Sequence, residues 1–480
     1  MLFNSLHFVY FFIVVTTLYF IIPHKLRWFL LLIASCYFYM AFLPIYILIL
    51  GFTIVIDYFA GIYIELSSGR KRKLFLICSL IANIGVLCIF KYYNFLNDNL
   101  SLLLNDLGYA NRIPNLSILL PIGLSFHTFQ AMSYTIEVYR GNQKAERNFG
   151  IYALYVMFYP QLVAGPIERP QNILHQFYEK HKFSYDNVTN GLKLMTWGFF
   201  KKIVISDRLA DLVNQAYSDP HRYQGFPLIL STIFFAFQIY CDFSGYSDIA
   251  IGAARVMGFD LMRNFNKPYS AKSIVEFWQR WHISLSTWFR DYLYIPLGGS
   301  RVKMSRRYLN LLITFLISGL WHGANWTYIV WGGLNGVYQI IDISTKKARG
   351  KIESIISSGF KPAYSILCQL VTFLLICTTW VFFRARSVQD GWYIVSHFIT
   401  SVHGTTALYL SAKNMMDILF ALIALFILFG VEHLQKNQSF VDFVNKKSPA
   451  IRWGFYYGLV LIIFLLGKFE GNQQFIYFQF

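Results

Sequence analysis

The chain alternates between long apolar runs and short polar or basic connections. Apolar runs that could cross a bilayer, or nearly so, lie at 5–22, 28–50, 51–65, 74–92, 116–137, 151–165, 188–205, 226–242, 308–320, 326–343, 364–383, 414–431 and 452–468. A membrane-spanning helix needs about 20 apolar residues, and several of these runs are shorter or contain polar residues. The pattern predicts an all-α polytopic membrane protein with about ten or eleven transmembrane helices plus re-entrant or interfacial helices around a central polar cavity.

Composition supports this fold class. Of the 480 residues, 56% are hydrophobic and only 14% are charged, and the mean hydropathy is +0.45. No polar segment is long enough for a separate soluble domain. We therefore predict one integral membrane domain over 1–480, with N-terminal helices (1–150), a candidate catalytic core (151–345) and C-terminal helices (346–480).

The net charge of +18 comes from basic residues in short clusters between apolar runs, at 70–73, 140–147, 301–307 and 346–351. This distribution is expected of loops on the cytoplasmic side of a membrane. Neither a groove-reading motif nor a contiguous basic face accompanies the charge, so we predict no nucleic-acid partner. The first apolar run is followed by Lys25 and Arg27, which predicts a retained first helix with its N-terminus outside.

His322 lies where an ionisable side chain is costly, between the apolar runs 308–320 and 326–343. Such residues usually face a cavity and serve function. As one straight helix, 308–341 would be about 50 Å long, too long for a bilayer. Gly319 and Gly323 would let another helix approach closely. We therefore predict a break near 318–323 with His322 beside a cavity, and Asn325 on the same helical face to orient its imidazole.

The segment 274–291 has the apolar spacing of an amphipathic helix, interfacial or re-entrant rather than spanning. Arg280 and Arg290 lie on its polar side, whereas His282 lies on the apolar stripe near Trp281. His282 is either a core histidine hydrogen-bonded to a carbonyl group or a functional partner of His322.

These residues suit acyl transfer. A thioester is already activated, and a neutral imidazole can take the proton from an attacking hydroxyl group. Five tryptophans could exclude water from the site: Trp278, Trp281, Trp288, Trp321 and Trp326. The sequence has no nucleophile elbow in a strand–turn–helix context, no HExxH motif and no phosphate-binding loop. Zinc held by His282, His322 and a carboxylate lacks a recognisable ligand spacing, so we predict no metal site.

A second group of polar residues interrupts the apolar run at 238–248. Asp242 could form a buried ion pair with an arginine such as Arg280 or Arg290. It could instead bind substrate, together with Gln238. Both interpretations stay open from the residues alone.

Two blocks of sequence, 277–299 and 318–326, resemble the membrane-bound O-acyltransferases. They are most similar to the branch that contains the membrane subunit of bacterial alginate O-acetylation. Further matching blocks lie at 121–130, 163–167, 242–252, 382–385 and 475–480, so the resemblance extends over nearly the whole chain. His127 stands where the family pattern has Phe or Tyr, which makes it a poor candidate for catalysis.

The resemblance implies roles for both histidines. His322 matches the catalytic histidine of the family, and His282 matches a second family position that is His, Asn or Asp in different branches. His282 would orient the donor or stabilise the developing oxyanion. Asn325 and Asp291 would support the site, and the remaining candidates for substrate contact are Trp321, Arg280, Arg290, Gln238 and Asp242.

The resemblance also implies acetyl-CoA as a donor on the cytoplasmic side and no permanently bound cofactor. The acceptor would be an extracytoplasmic polysaccharide, reached with a periplasmic or membrane-anchored SGNH-type partner, and the protein would lie among the lipids of a bacterial inner membrane. Peptidoglycan O-acetylation and D-alanyl transfer to teichoic acid are the alternatives within acyl transfer. A lipid or polysaccharide transporter, or a scaffold for a polysaccharide synthase, would not catalyse a reaction.

Overall fold

The computed structural model describes residues 1–117, 120–400, 409–436, 438–469 and 475–476, and every regular element within these ranges is helical. This confirms the all-α class. The α-helices are α1 (Leu6–Ile21), α2 (His24–Met40), α3 (Ile47–Leu66), α4 (Gly69–Leu87), α5 (Tyr93–Asp106), α6 (Leu124–Arg140), α7 (Phe149–Met157), α8 (Tyr159–Leu162), α9 (Pro170–Ile173), α10 (Tyr185–Phe199), α11 (Asp207–Ser218), α12 (Phe226–Val256), α13 (Ile274–Arg280), α14 (Ile283–Phe289), α15 (Met304–His322), α16 (Trp326–Ile355), α17 (Lys361–Arg384), α18 (Val388–Ser396), α19 (Ala412–Gln435), α20 (Phe440–Asn445) and α21 (Pro449–Leu466).

Three helical segments have the wider π-helical pattern: Cys88–Tyr92, Phe200–Ser206 and Arg290–Tyr294. Single-turn π segments often occur at functional sites. The third segment contains Arg290 and Asp291, two of the residues predicted to support the site.

Six helical stretches among the described residues are long and apolar enough to cross a membrane: Pro44–Leu66, Gly69–Asp106, Phe226–Val256, Ser358–Arg384, Asn414–Gln435 and Pro449–Leu466. Leu6–Ile21 is apolar but shorter. These helices make the protein a multi-pass membrane protein. The count of ten or eleven crossings and the outside N-terminus stay predictions.

Several helices begin at a polar side chain that caps free backbone N–H groups. Ser273 accepts from Glu276 N at the start of α13, and Ser387 does the same for α18. Asn325 caps α16. Such caps fix where a helix starts, because the first N–H groups of a helix have no partner within it.

The described residues group into two compact units, and α10 and α12 contribute to both. The first unit consists of 1–195 and 246–262. In its interior, Ser79 and Asn83 of α4 donate hydrogen bonds to the buried carboxylate of Asp57 on α3. Burial also raises the pKa of Glu168 to about 7, in the loop after α8. A carboxylate buried as deeply as that of Asp57 needs hydrogen-bond donors such as Ser79 and Asn83.

The second unit consists of 196–245 and 263–480. It contains both candidate histidines, the hairpin of α15 and α16, and the short helices α13 and α14. The single integral domain predicted for 1–480, with its three parts, stays a prediction.

Candidate active site

The predicted helix break at His322 is present. Helix α15 ends at His322, Gly323 is extended with φ −163°, and Asn325 caps α16. The chain therefore reverses direction at the histidine instead of forming one helix of about 50 Å. His322 lies at the turn of the α15–α16 hairpin.

Small residues bring α15 and α16 into direct backbone contact. A Cβ atom on Gly319 would lie 2.2 Å from the carbonyl oxygen of Tyr328, and one on Gly332 would lie 2.3 Å from that of Phe315. Neither distance is possible for a real side chain. The close approach predicted from Gly319 is thus confirmed, and its partner is the next helix in the chain.

Aromatic rings enclose the imidazole of His322, whose residue is only 5% exposed. The ring centroids of Trp321, Trp331 and Phe383 lie 4.8, 4.9 and 5.3 Å from that of the imidazole. All three pairs meet edge to face, the arrangement that aromatic quadrupoles favour. Trp321 thus lies beside the imidazole, and its role in excluding water stays a prediction.

The predicted alignment of Asn325 with His322 is wrong. The two residues do not share a helical face, because α15 ends before Asn325 is reached. The Asn325 side chain instead accepts a hydrogen bond from Thr327 N and donates one to the carbonyl oxygen of Arg386. Asn325 therefore fixes the start of α16.

The single amphipathic helix predicted for 274–291 is also wrong. Helix α13 ends at Arg280, Trp281 is extended, and His282 adopts the left-handed conformation with φ 44° and ψ 56° before α14 begins. Each helix has seven residues, too few to cross a membrane. His282 therefore lies at a second break in the chain, as His322 does.

Asn264 holds the imidazole of His282 in one tautomer. The Nδ1 atom of His282 lies 3.1 Å from Oδ1 of Asn264, which also accepts a hydrogen bond of 2.9 Å from the Ser284 hydroxyl group. Because that oxygen is an acceptor, Nδ1 carries the proton and Nε2 carries the lone pair. Burial lowers the pKa of His282 well below its usual range, so the ring is neutral.

Buried tryptophans join the surroundings of the two histidines. Trp331, which contacts His322, lies 6.1 Å from Trp380, and Trp380 lies 5.0 Å from Trp281, the residue before His282. We call Trp281, Trp331, Trp380 and Phe383 the aromatic cluster. Its members are nearly inaccessible to solvent. His322 thus contacts this water-poor cluster directly, and the cluster includes Trp281, which directly precedes His282 in the chain.

The aromatic cluster differs from the predicted set of tryptophans. Trp326 does not contribute, because 54% of its surface is exposed. Trp331 and Trp380 were missed, although each lies in an apolar run of the sequence. Tryptophan in such a run is common, and only the hairpin and α17 bring these rings to the histidines.

Asp242 forms a buried ion pair, but with a lysine and not with Arg280 or Arg290. Its Oδ1 atom lies 2.6 Å from Nζ of Lys202, which also lies 2.7 Å from Oδ1 of Asp207. The predicted arginine partner is wrong because each arginine has a nearer carboxylate. Arg280 pairs with Glu276 at 2.5 Å, and Arg290 pairs with Asp291 at 2.7 Å.

Three other predicted site residues, Arg280, Arg290 and Gln238, lie in different surroundings. Arg290 lines one of two cavities beside α13–α16, and Arg280 also donates to the hydroxyl group of Ser270. Gln238 is buried on α12, and its Oε1 atom has no hydrogen-bond partner among the described residues. The supporting and substrate-binding roles of these residues stay predictions.

Two adjoining cavities lie beside α13–α16. The inner cavity, of about 350 Å³, has mostly apolar walls that include Phe289, Phe315 and Ser318. Ser318 is one turn before His322 on α15. The ring of Phe289 meets that of Trp321 edge to face, with centroids 6.4 Å apart. Neither histidine is among the residues that line this cavity.

The outer cavity is larger, about 1090 Å³, and strongly basic. Its walls share four residues with the inner cavity: Val275, Tyr294, Leu311 and Gln339. Six basic side chains line it, against two acidic ones: Lys272, Arg307, Lys346, Lys347, Arg349 and Lys361, with Asp342 and Glu353. Two of the basic clusters found in the sequence thus meet at one cavity.

Known proteins are similar to this chain over the region that carries both histidines. The model of the membrane-bound O-acyltransferase family matches residues 143–355, which include both histidines. The chain is 39% identical over 398 residues to the "Probable alginate O-acetylase AlgI" of Pseudomonas aeruginosa, covering 82% of this chain and 74% of the relative.

Two further relatives bear other names. The chain is 33% identical to the "Peptidoglycan O-acetyltransferase" of Helicobacter pylori over 501 aligned positions, covering 94% of this chain and 91% of the relative. The "Teichoic acid D-alanyltransferase" of Streptococcus thermophilus is 28% identical over 270 residues, covering 51% of this chain and 62% of the relative. With identity above a third over most of both chains in the first comparison, the protein belongs to the membrane-bound O-acyltransferase family and is an O-acyltransferase of the membrane.

Proposed function

We propose that this enzyme transfers acetyl groups from acetyl-CoA to hydroxyl groups of an extracytoplasmic polysaccharide of the alginate type, at a bacterial inner membrane. The observation that carries the proposal is His322, a buried histidine at a helix break among aromatic rings. The relatives named for alginate O-acetylation supply the acceptor class.

His322 is the proposed general base. Its imidazole takes the proton of the acceptor hydroxyl group as the oxygen attacks the thioester carbonyl carbon. The tetrahedral intermediate then loses the thiolate as the carbon–sulfur bond breaks, and the imidazolium returns the proton to sulfur. The products are the acetyl ester and the free thiol. Water exclusion by the aromatic cluster favours transfer over hydrolysis.

The two cavities suit the two parts of the donor. The six basic side chains of the outer cavity would bind the phosphate groups of acetyl-CoA. The apolar inner cavity, which shares four wall residues with the outer one, would admit the narrow thioester arm toward the turn of α15 that precedes His322.

Peptidoglycan is the second candidate acceptor. The Helicobacter pylori relative matches 94% of this chain and 91% of its own length, a fuller coverage than the alginate relatives have. With an extracytoplasmic partner of the SGNH type, the hydroxyl group that attacks at His322 would be one that relays the acetyl group, and the partner would then pass that group to either polymer. Both acceptors require the same chemistry at His322.

The test is to complement a deletion strain with the wild-type protein, His322→Ala and His175→Ala, and to measure base-released acetate from its exopolysaccharide and peptidoglycan. His175 is the matched control because its side chain is 58% exposed and far in sequence from the site. We expect His322→Ala to remove acetylation, His175→Ala to retain it, and the loss to affect exopolysaccharide. Wild-type acetylation by His322→Ala would refute the proposed base, and loss from peptidoglycan alone would replace alginate as the acceptor class.

A further inference from the structure

The buried ion pair of α12 also binds the backbone of a distant segment. Asp242 uses Oδ1 for Lys202 at 2.6 Å, and its Oδ2 accepts a hydrogen bond of 2.7 Å from Ile476 N. The side chains of Lys202 and Asp242 are 5% and 2% exposed. Residues 475–476, which we call the docked segment, are therefore held by a charged group inside the protein.

Additional contacts fix the chain just before the docked segment. The guanidinium group of Arg208 donates to the carbonyl oxygen of Leu466 at the end of α21, at 2.7 Å. Lys468 N donates to the carbonyl oxygen of Ile203, in the π-helical segment that carries Lys202, at 3.2 Å. The Lys468 side chain pairs with Asp211. The end of α21 is thus attached to the same stretch of chain that supplies the ion pair.

The docked segment reaches His282 through one phenylalanine. Phe475, which is 1% exposed, packs against Phe243 with ring centroids 5.6 Å apart. Phe243 in turn meets the imidazole of His282 edge to face at 4.5 Å. Phe243 directly follows Asp242 on α12. Asp242 therefore binds the docked segment, and Phe243 packs between Phe475 of that segment and His282.

We propose that Asp242 is a positioning residue: it docks residues 475–476 over Phe243, which fixes His282 and keeps water from its imidazole. The functional part of this inference rests on the proposed acetyl transfer. A buried ion pair by itself is weak support for stability, since well-packed apolar residues often serve as well. A buried carboxylate that accepts a hydrogen bond from the backbone N–H of a distant segment instead specifies where that segment binds.

Access of water to His282 can be measured without any assay of activity. Diethyl pyrocarbonate acylates neutral imidazole that solvent reaches, and peptide mass spectrometry locates the product. The protein is treated in lipid nanodiscs as the wild type, Phe475→Ala, Asp242→Ala and Phe440→Ala. Phe440 is the matched control, because it is a buried phenylalanine of the same unit that stacks on Trp197 at 4.6 Å. Modification of the exposed His175 shows whether each sample received the same dose of reagent.

We expect Phe475→Ala to raise the rate of His282 modification by about tenfold or more over wild type, while Phe440→Ala leaves it unchanged. Asp242→Ala should match Phe475→Ala, and if that variant does not fold, Phe475→Ala still decides. Equal modification of His282 in Phe475→Ala and Phe440→Ala would overturn the proposal.

A second readout connects the docked segment to chemistry. With acetyl-CoA as donor, Phe475→Ala should increase thioester hydrolysis relative to transfer, because water would compete with the acceptor hydroxyl group. A merely structural defect would lower both rates in proportion, and that result would contradict the sealing role. If the wild type itself does not use acetyl-CoA, the proposed function fails, whereas the modification of His282 still tests the docking.

Discussion

At the scale of single residues, the two histidines are held in different ways. The rings of Trp321, Trp331 and Phe383 pack against His322. His282 instead has a polar partner, Asn264, that determines its tautomer. Anchoring through Nδ1 leaves Nε2 of His282 as the atom that can accept a proton or a hydrogen bond, so the neutral ring has no N–H for a developing oxyanion, and orienting the donor is the proposed role that fits this tautomer. Burial keeps that ring uncharged at neutral pH.

Asn264→Asp should make activity depend on pH through His282. A carboxylate beside Nδ1 stabilises the imidazolium form and raises the pKa of His282, so the neutral ring is lost as the pH falls through a higher value. We expect the acid limb of kcat to move up by about one pH unit. Asn264→Ala removes the anchor without adding charge, and should lower kcat without moving the limb. An identical pH profile in both variants would argue against a role for the neutral ring of His282 in the reaction.

The sequence identified some of these residues and not others for physical reasons. His322 was found because a titratable group between two apolar runs has a high desolvation cost. Asn264 gave no such signal, since it lies 18 positions before His282 and asparagine is ordinary in a loop. Lys202 was missed as the partner of Asp242, because 188–205 looked like an apolar run.

At the scale of elements, both histidines lie where a helix is interrupted. The α15–α16 turn followed from length, since one straight helix would exceed the bilayer, and from Gly319. The break between α13 and α14 could not be predicted, because the apolar spacing continues through Trp281 and His282 without a glycine or proline. A periodic pattern reports which side chains are buried, and it does not report a left-handed residue between two short helices.

Gly319→Val should damage the site by forcing α15 and α16 apart. Its Cβ atom would overlap the carbonyl oxygen of Tyr328, and no side-chain rotation relieves contact with backbone. We expect a loss of roughly 3 kcal/mol in stability and at least tenfold in kcat, as His322 shifts from Trp331. Gly333→Ala is the matched control in the same hairpin, since its Cβ atom would meet only a Leu316 methyl group at 3.7 Å. Equal behaviour of the two variants in thermal unfolding and in transfer would contradict the close-packing argument.

At the scale of the whole molecule, the basic clusters lie between the apolar runs, whereas single buried charges such as Asp57 and Asp242 lie within helices. Clusters that are distant in sequence, around Arg307 and around Lys346, converge on the outer cavity. The sequence shows these basic clusters between apolar runs, where they indicate membrane topology. It could not predict that the two clusters line one cavity, because that depends on the α15–α16 hairpin, which brings the end of α16 back beside the start of α15.

Charge reversal in the outer cavity should weaken donor binding. Arg307→Glu and Lys346→Glu are each expected to raise the KM for acetyl-CoA by about fivefold, the effect of about 1 kcal/mol in a partly screened site, with kcat nearly unchanged. Arg306→Glu is the control, since Arg306 is the neighbour of Arg307 in the same basic cluster and is not part of the cavity wall.

The donor itself offers a second control. Acetyl-dephospho-CoA lacks the 3′-phosphate, so the charge reversals should raise its KM less than they raise that of acetyl-CoA. If Arg306→Glu has the same effect as Arg307→Glu on both donors, the outer cavity is not the phosphate-binding site.

The left-handed backbone at His282 has a consequence for which residue types can occupy that position. With φ at 44°, a β-branched or bulky apolar side chain would be strained there, whereas His, Asn and Asp tolerate this conformation best after glycine. Those are the three residue types that the family resemblance associates with the second histidine position. A residue at this position therefore has to meet two requirements together: a polar group that can reach the site, and a main chain that permits the turn. A substitution that satisfies the chemistry but not the left-handed backbone would be strained here.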